Sequence, residues 1–370
     1  MPLHGEAAQK TYSITDVVAK GVWLSYHAIL GEHCIQKTYE PPGREDAIAF
    51  AEPRLLNELD HPHITPLREA QFDPDRAGHV TIVMRLYEGG SIYSALDAGC
   101  RFSIGNVIVV IQHIADALAY LHTTKRYVHR DIKPKNILLD RDRRVGYLAD
   151  FGSAAVLDDG LENAKAALTT PLYQAPEAAS TGRVGPPADI YALGLTAFEM
   201  LNGLFPYDDL DPAEIDKRVN QGRRAVPDRM LAASQFAPHV PAPLRRLVRR
   251  MMDVDPRRRP SASEILRQLR DLRCVDWRHE TGDGLDGEWS GRWPPRRRTE
   301  DQIRIRLTSM ILRAGTNYGQ RRLNADYLSR TSSGWRTVGI VPQTVDVHDA
   351  AAVSAFFNAV DAQLARRWPA

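Results

Sequence analysis

The segment Tyr127–Asp140 constrains the fold and the chemistry of this chain more than any other. Lys133 follows Asp131 by two positions and Asn136 follows it by five, and the apolar run Ile137–Leu139 comes next. Such a run is typical of a short buried strand, so a carboxylate, an ammonium and an amide are expected on one turn held against a rigid element. This set suits phosphoryl transfer from a nucleotide. A carboxylate orients the attacking hydroxyl, a cation meets the charge of the transferred group, and an amide oxygen holds a metal ion.

A second carboxylate follows the strand-like stretch Gly146–Ala149. Asp150, in Asp150-Phe151-Gly152, offers further oxygen ligands for a metal ion. His129–Asn136 resembles the catalytic loop of the protein kinase family residue for residue, and Asp150-Phe151-Gly152 resembles its magnesium-binding motif. Ala175-Pro176-Glu177 resembles the motif that closes the activation segment. The three motifs stand in the order and at the spacing of that family.

The resemblance implies an α+β, two-lobed fold. A small, mainly β N-lobe is expected over residues 10–86 and a large, mainly α C-lobe over residues 87–274. Lys133 after Asp131, with Thr170 ahead of Tyr173, is the serine/threonine pattern rather than the tyrosine pattern. The resemblance therefore implies a serine/threonine protein kinase that transfers the γ-phosphoryl group of MgATP to protein hydroxyls and phosphorylates itself.

The resemblance also assigns roles to individual residues. Asp131 and Lys133 are predicted to be catalytic, and Asn136 and Asp150 to hold Mg²⁺. Lys37 is predicted to hold the ATP phosphates, and Glu52 to form an ion pair with it. The residues predicted to surround the rest of the nucleotide are Ala19, Gly21, Met84, Leu86, Tyr87 and Leu138.

The segment that should cover the phosphates departs from the family pattern of three glycines. Ala19–Leu24 keeps only Gly21, and a second register, which places Val22 against adenine, leaves no glycine in the motif. Glycines let the backbone approach phosphates closely, so their loss is expected to hold the loop away from them. Ile35 stands where the family usually has alanine over the adenine.

A helix is predicted from Arg44 to Leu59, with Glu52 followed by Pro53. A proline inside a helix costs about 3 kcal/mol or more unless it lies in the first turn. The helix is therefore predicted to be kinked or to start late. We expect the Lys37–Glu52 pair to be poorly formed until the lobes close.

The main alternative is a pseudokinase that binds a nucleotide or a partner without turnover. The glycine-poor loop, the bulky residue at the adenine site and the proline favour it. The complete set of catalytic and metal-binding side chains favours an active enzyme. The Ala175-Pro176-Glu177 motif, with the helices after it, favours a protein substrate over a small molecule.

Other motif residues are assigned to regulation or to architecture. Arg130, before Asp131, is typical of kinases switched by phosphorylation of the activation segment. Thr170 matches the threonine that bonds the catalytic residues, which leaves Thr169 as the predicted phosphorylation site. Architectural roles are predicted for His129, Asp189, Glu177 and Arg259.

Composition places the chain among ordinary soluble proteins. The formal net charge is +2, which suggests neither nucleic acid nor membrane as a partner. The three cysteines have no metal-site spacing and fit a reducing compartment. No secretory signal pattern and no membrane-length apolar run is recognised, so a cytoplasmic location is predicted. The sequence makes no prediction of substrate or oligomeric state.

Residues 275–370 resemble no family and are predicted to form a small α+β accessory domain. Strands are expected at Glu288–Trp293, Gln302–Leu312 and Gly334–Val341, and an amphipathic helix at Asp349–Arg366. This domain is predicted to dock a substrate or partner, or to pack on the kinase. Nucleic-acid binding by its arginines is the less favoured alternative, because acidic residues are interspersed.

Overall fold

The structure is a computed structural model. It describes residues 11–39, 50–73, 78–157, 163–166, 170–232, 235–282, 285–293, 303–329 and 334–368. The predicted two-lobed fold is confirmed, because a sheet-rich region extends to Arg85 and a helical region follows it.

The N-terminal region is an antiparallel sheet of five strands in the order β1-β2-β3-β5-β4. The strands are β1 (Tyr12–Ala19), β2 (Val22–His27), β3 (Glu32–Tyr39), β4 (Leu67–Phe72) and β5 (Val80–Arg85). The interior strand β5 is the most apolar, and its residues 80–83 are buried. Helix α1 (Ala51–Glu58) packs beside β4 and buries Leu55 and Leu56.

The next region is mainly helical. Its α-helices are α2 (Ile92–Asp97), α3 (Ile104–Ala119), α4 (Pro176–Thr181), α5 (Pro186–Asn202), α6 (Pro212–Asn220), α7 (Ala242–Met251) and α8 (Ala262–Asp271). Side chains that accept a backbone hydrogen bond cap several of them, as at Ser103, Asp211 and Ser261. Nearly all of α5 is buried, so it forms the centre of the region.

One long apolar helix lies in this core. Within the described residues, the stretch Ile104–Lys125 is long and apolar enough to cross a membrane by length and composition. It comprises α3 and a π-helical turn, Tyr120–Lys125, and α3 packs on α5 and α8. A core helix passes the same test, and these contacts account for its apolar face.

Three two-stranded sheets tie the catalytic and activation segments to this helical region. The pairs are β6 (Tyr127–Val128) with β9 (Ala155–Val156), β7 (Ile137–Leu139) with β8 (Gly146–Leu148), and β10 (Ala164–Lys165) with β11 (Arg183–Val184). The predicted strands after Asn136 and before Asp150 are β7 and β8.

The C-terminal region combines an antiparallel sheet with one helix. Its elements are β12 (Arg278–Thr281), β13 (Gly287–Trp293), β14 (Ile303–Ile311), β15 (Arg321–Leu328), β16 (Arg336–Thr337), β17 (Gln343–Val345) and α9 (Ala350–Arg367). The predicted helix and the first two predicted strands are present. The third predicted strand is wrong in extent, because only Arg336–Thr337 of it pairs. The sequence reading also missed β15, although its residues alternate between buried and partly exposed.

The C-terminal region packs directly on the helical region, and the two share one hydrophobic core. Asp276 and Trp277 bond the start of α3: the Asp276 carboxylate accepts from Gly105 N at 2.6 Å and the Trp277 carbonyl from Ile104 N at 2.9 Å. Burial lowers the pKa of His239 to about 3, so its neutral ring accepts from the Trp289 indole at 3.2 Å.

Candidate active site

The turn before β7 brings the predicted catalytic residues together. Lys133 Nζ lies 2.7 Å from Asp131 Oδ2 and 2.9 Å from Thr170 Oγ1. Asn136 Nδ2 donates to the backbone carbonyl of Asp131 at 2.8 Å and to its Oδ2 at 2.9 Å. The Asp131 carboxylate is therefore held by two donors. The amide oxygen of Asn136 takes no part in these bonds, so it is available to bind a metal ion.

Buried side chains hold this turn from behind. Asp189, at the start of α5, accepts from His129 N at 2.9 Å, from Arg130 N at 2.8 Å and from the His122 ring at 2.8 Å. Burial by itself raises the pKa of Asp189. The hydrogen bond from His122 and the nearby His129 nevertheless hold it below its usual value. The carboxylate thus stays charged and orients the catalytic backbone.

His129 connects the catalytic turn to the strand that ends before Asp150. Its ring is fully buried and packs edge-on against Phe151, with centroids 4.8 Å apart. Burial lowers the pKa of His129. The neutral ring accepts from Asp131 N at 3.3 Å and donates to the Ala149 carbonyl at 3.2 Å. The predicted architectural role of this histidine fits these contacts.

Lys37 stands between two carboxylates. Its Nζ lies 2.7 Å from Asp150 Oδ1 and 3.2 Å from Glu52 Oε2. Burial opposes both charges, but the two carboxylates raise the pKa of Lys37, and Lys37 in turn lowers that of Asp150. Lys37 and Asp150 are therefore both charged.

The expectation of a poorly formed Lys37–Glu52 pair is wrong. Glu52 is buried, and besides Lys37 it accepts from Phe151 N at 3.0 Å. Pro53 is the third residue of α1, so its missing N–H falls in the first turn, where no intrahelical bond is lost. The predicted helix start at Arg44 lies outside the described residues.

Sequence reasoning missed Tyr39 as part of this site. Its hydroxyl donates to Glu52 Oε2 at 2.5 Å, and its ring lies 5.0 Å from Lys37 Nζ. The signal was available, because Tyr39 stands two residues after Lys37 and points to the same face of β3. The glutamate thus has three donors, which explains how it is held so firmly.

The phosphate-side loop is a two-residue hairpin turn. Ala19 pairs with Val22 across Lys20-Gly21, and Val22 pairs in turn with Lys37. Gly21 has a φ of +73° and accepts from Thr38 N at 2.8 Å. A Cβ there would lie 3.1 Å from the Thr38 carbonyl, so the turn needs this glycine. The structure thus places Gly21 next to Thr38, the residue after Lys37, and places Ala19 across β2 from the lysine.

The adenine-side residues lie on two segments joined by backbone bonds. Met84 pairs with Ile35 on β3, and the residues after it lead to Gly89, whose N–H donates to the Leu139 carbonyl at 3.2 Å. Leu86 is partly exposed, Tyr87 is buried with its ring 4.4 Å from that of Tyr147, and Leu138 is partly exposed on β7.

The activation segment is held by Arg130. Its guanidinium donates to the carbonyls of Ser153, Ala154 (3.4 Å) and Lys165 (2.7 Å). Arg130 and Asp150 both have left-handed backbone φ angles, +68° and +64°. That conformation is unfavourable for residues with a Cβ and is found where the surroundings enforce it, often at functional sites. Thr169, the predicted phosphorylation site, lies outside the described residues.

The donor set fits a nucleotide-bound magnesium ion rather than an all-protein metal site. Among the described residues, no cluster of three His, Cys, Asp or Glu side chains could hold a metal. Asn136 and Asp150 offer one amide oxygen and one carboxylate. Mg²⁺ is commonly held by one or two such ligands together with substrate phosphates and water.

Comparison with known proteins decides the family. The family model for the protein kinase domain matches residues 21–269, which is more than half of the chain. The chain belongs to the protein kinase family. Residues 275–370 lie outside this match, so the accessory region is an addition to the kinase domain.

The similar proteins are protein kinases of different organisms. The chain is 28% identical over 273 residues to maternal embryonic leucine zipper kinase of Xenopus laevis, covering 70% of this chain and 39% of that protein. It is 30% identical over 273 residues to CBL-interacting protein kinase 29 of Oryza sativa subsp. japonica, covering 69% and 58%. It is 33% identical over 219 residues to mitogen-activated protein kinase kinase kinase 1 of Arabidopsis thaliana, covering 58% and 33%. The match thus spans about two fifths of the Xenopus kinase.

Proposed function

We propose that this chain is a serine/threonine protein kinase that transfers the γ-phosphoryl group of MgATP to hydroxyls of a protein substrate, including its own. One observation carries the proposal: Lys37 contacts both Glu52 and Asp150, while Asp131 and Lys133 are already assembled with Thr170. Similarity to serine/threonine kinases supports the choice of substrate class.

The residues divide the chemistry between them. Asp131 accepts a hydrogen bond from the substrate hydroxyl and orients it, and Lys133 balances the charge of the transferred group. Asn136 and Asp150 would hold Mg²⁺, which would supply positive charge to neutralise the phosphates. Catalysis is then mainly positioning and electrostatic stabilisation.

Lys37 must exchange partners when a nucleotide binds. It now contacts Asp150, the carboxylate assigned to the metal ion. Lys37 would exchange Asp150 for the nucleotide phosphates, and Glu52 would keep Lys37 in position through its remaining bond. The three donors that hold Glu52 would therefore also keep it in place in the nucleotide-bound state.

The alternative is a pseudokinase. The sequence raises it through the one-glycine hairpin and through Ile35, which pairs with Met84, but the similar proteins are protein kinases and do not favour it. The complete Asp131–Lys133–Asn136 set supports the active enzyme instead. We further propose that residues 275–370 dock a substrate or partner protein and that the chain acts in the cytoplasm, where its three cysteines would stay reduced.

Transfer of radiolabelled phosphate from MgATP to the chain and to a generic acceptor protein tests the proposal. Label should enter with the wild type and be lost with Asp131→Asn. Asp142→Asn, in the exposed turn after β7, is the matched control and should keep full activity. Absence of label in every protein, with nucleotide still bound, would establish the pseudokinase. Mapping the label would distinguish Thr169 from Thr170.

A further inference from the structure

A concave site with arginine walls lies on the helical region, and none of its residues belongs to the candidate active site. Its volume is about 570 Å³, and its walls include Arg224, Leu231, Arg246, Arg249, Arg250 and Met252. Sites for small ligands usually have volumes of roughly 300–1,000 Å³, so this cavity is large enough for one.

Helix α7 supplies three of these arginines. Its residues Leu244, Leu247, Val248 and Met251 are buried, while Arg246, Arg249 and Arg250 are exposed. Residues three and four positions apart share one helix face, so the three guanidinium groups line the same side of the cavity. Like charges at this spacing oppose helix formation. The helix dipole favours cations in the last turn, as at Arg249 and Arg250, but Arg246 lies a turn earlier.

The other arginines of this neighbourhood already have partners. Arg224 donates to the Met252 carbonyl at 3.0 and 3.1 Å and pairs with Asp228, and Arg218 lies 3.6 Å from the same carboxylate. Arg245 donates to the Val240 and Pro238 carbonyls.

In contrast, Arg246, Arg249 and Arg250 form no ion pair within 4.0 Å in the described part of the chain. Asp253 also borders the cavity, and its Oδ1 accepts from Asp255 N at 3.0 Å. Asp228, the other carboxylate in the wall, is shared by two arginines. The cavity therefore keeps an excess of positive charge.

We propose that this cavity binds a small, multiply phosphorylated anion. Guanidinium groups present paired donors that match phosphate oxygens, and they do so better than ammonium groups. The arginines line one concave volume rather than a continuous stripe, which fits a compact anion rather than a nucleic-acid backbone. This proposal does not rest on the proposed kinase activity, since the cavity shares no residue with the candidate active site.

Titration of inorganic tripolyphosphate into the full chain by calorimetry tests the site. All proteins carry Lys37→Ala, so that phosphate binding in the interlobe cleft contributes little. Arg246→Glu with Arg250→Glu should weaken binding at least about tenfold, because two charge-assisted contacts become repulsive. The matched control reverses the same number of charges at Arg292 and Arg304, which face each other on the exposed side of the C-terminal sheet. That control should change the Kd by less than about twofold.

Absence of tripolyphosphate binding by the parent chain would overturn the proposal. Equal weakening by both double variants would also overturn it, since only the net charge would then matter. Thermal unfolding shows whether the variants fold. If the charge-reversed α7 variant does not fold, Arg246→Gln decides alone: weaker binding supports the site, and unchanged binding overturns it.

Discussion

Tyr39→Phe is the substitution that tests the architecture of the active site most directly. It removes one hydroxyl that donates to Glu52 at 2.5 Å and leaves the ring in place. Burial, reinforced by the charge of Glu52, raises the pKa of Tyr39 well above its ordinary value, so this hydroxyl remains a donor at any working pH.

The size of the effect follows from the burial of Glu52. A hydrogen bond to a charged group contributes about 1.5–3 kcal/mol, and water cannot replace the lost donor here because Glu52 is 4% exposed. We expect the free energy of unfolding to fall by about that amount. Glu52 keeps its bonds to Lys37 and Phe151 N. We therefore expect the kcat/KM for ATP to fall about tenfold rather than vanish. A tenfold fall corresponds to a loss of about 1.36 kcal/mol of transition-state stabilisation.

Urea denaturation and steady-state kinetics with varied ATP measure the two effects. Tyr26→Phe, on the neighbouring strand β2, is the matched control, because its exposed side chain makes no hydrogen bond to the described residues. That control should change stability by less than about 0.5 kcal/mol. If Tyr39→Phe leaves both stability and kcat/KM like those of the control, the role given to Tyr39 is wrong.

Two further predictions concern stability. Arg259→Ala should lower the free energy of unfolding, measured by urea denaturation, by about 3–5 kcal/mol, because it leaves the Glu177 carboxylate without the guanidinium that now bonds it twice at 2.7 Å. The exposed Arg257→Ala should lower it by less than about 1 kcal/mol, and equal losses would contradict the reasoning. Burial raises the pKa of Asp361 to about 7, above the roughly 3.9 of an unfolded aspartate, so the folded chain binds a proton that the unfolded chain releases. Stability should therefore fall as pH rises from about 4 towards 7, and Asp361→Asn should lose this dependence over the same pH range, measured by urea midpoints.

The catalytic turn was the most predictable part of the site. Asp131, Lys133 and Asn136 lie within six consecutive positions, so local geometry alone nearly brings them together. The fold class followed from the same motifs. The bond between Lys133 and Thr170 was anticipated only through the resemblance, because the two are 37 positions apart.

The state of the Lys37–Glu52 pair could not be predicted in the same way. From the sequence, Pro53 predicts a helix that is kinked or starts late, because a proline is costly or harmless depending on its turn and the sequence does not say where α1 begins. Two of the donors that hold Glu52 come from distant segments. The Tyr39 hydroxyl comes from β3, and Phe151 N comes from the segment after β8. Their convergence is a property of the packed lobes.

The sequence by itself determined the chemistry of the active site, because phosphoryl transfer needs particular side chains and short motifs carry them. It also determined the alternation of β14 and the amphipathic face of α9, since local periodicity decides which side chains can be buried together. Only the tertiary structure decided which arginines are hydrogen-bonded to the protein. Arg245 and Arg246 are neighbours in the chain, yet one is bonded to carbonyls and the other faces a cavity. That difference depends on the helix face that each side chain occupies and on the distant segments packed against it.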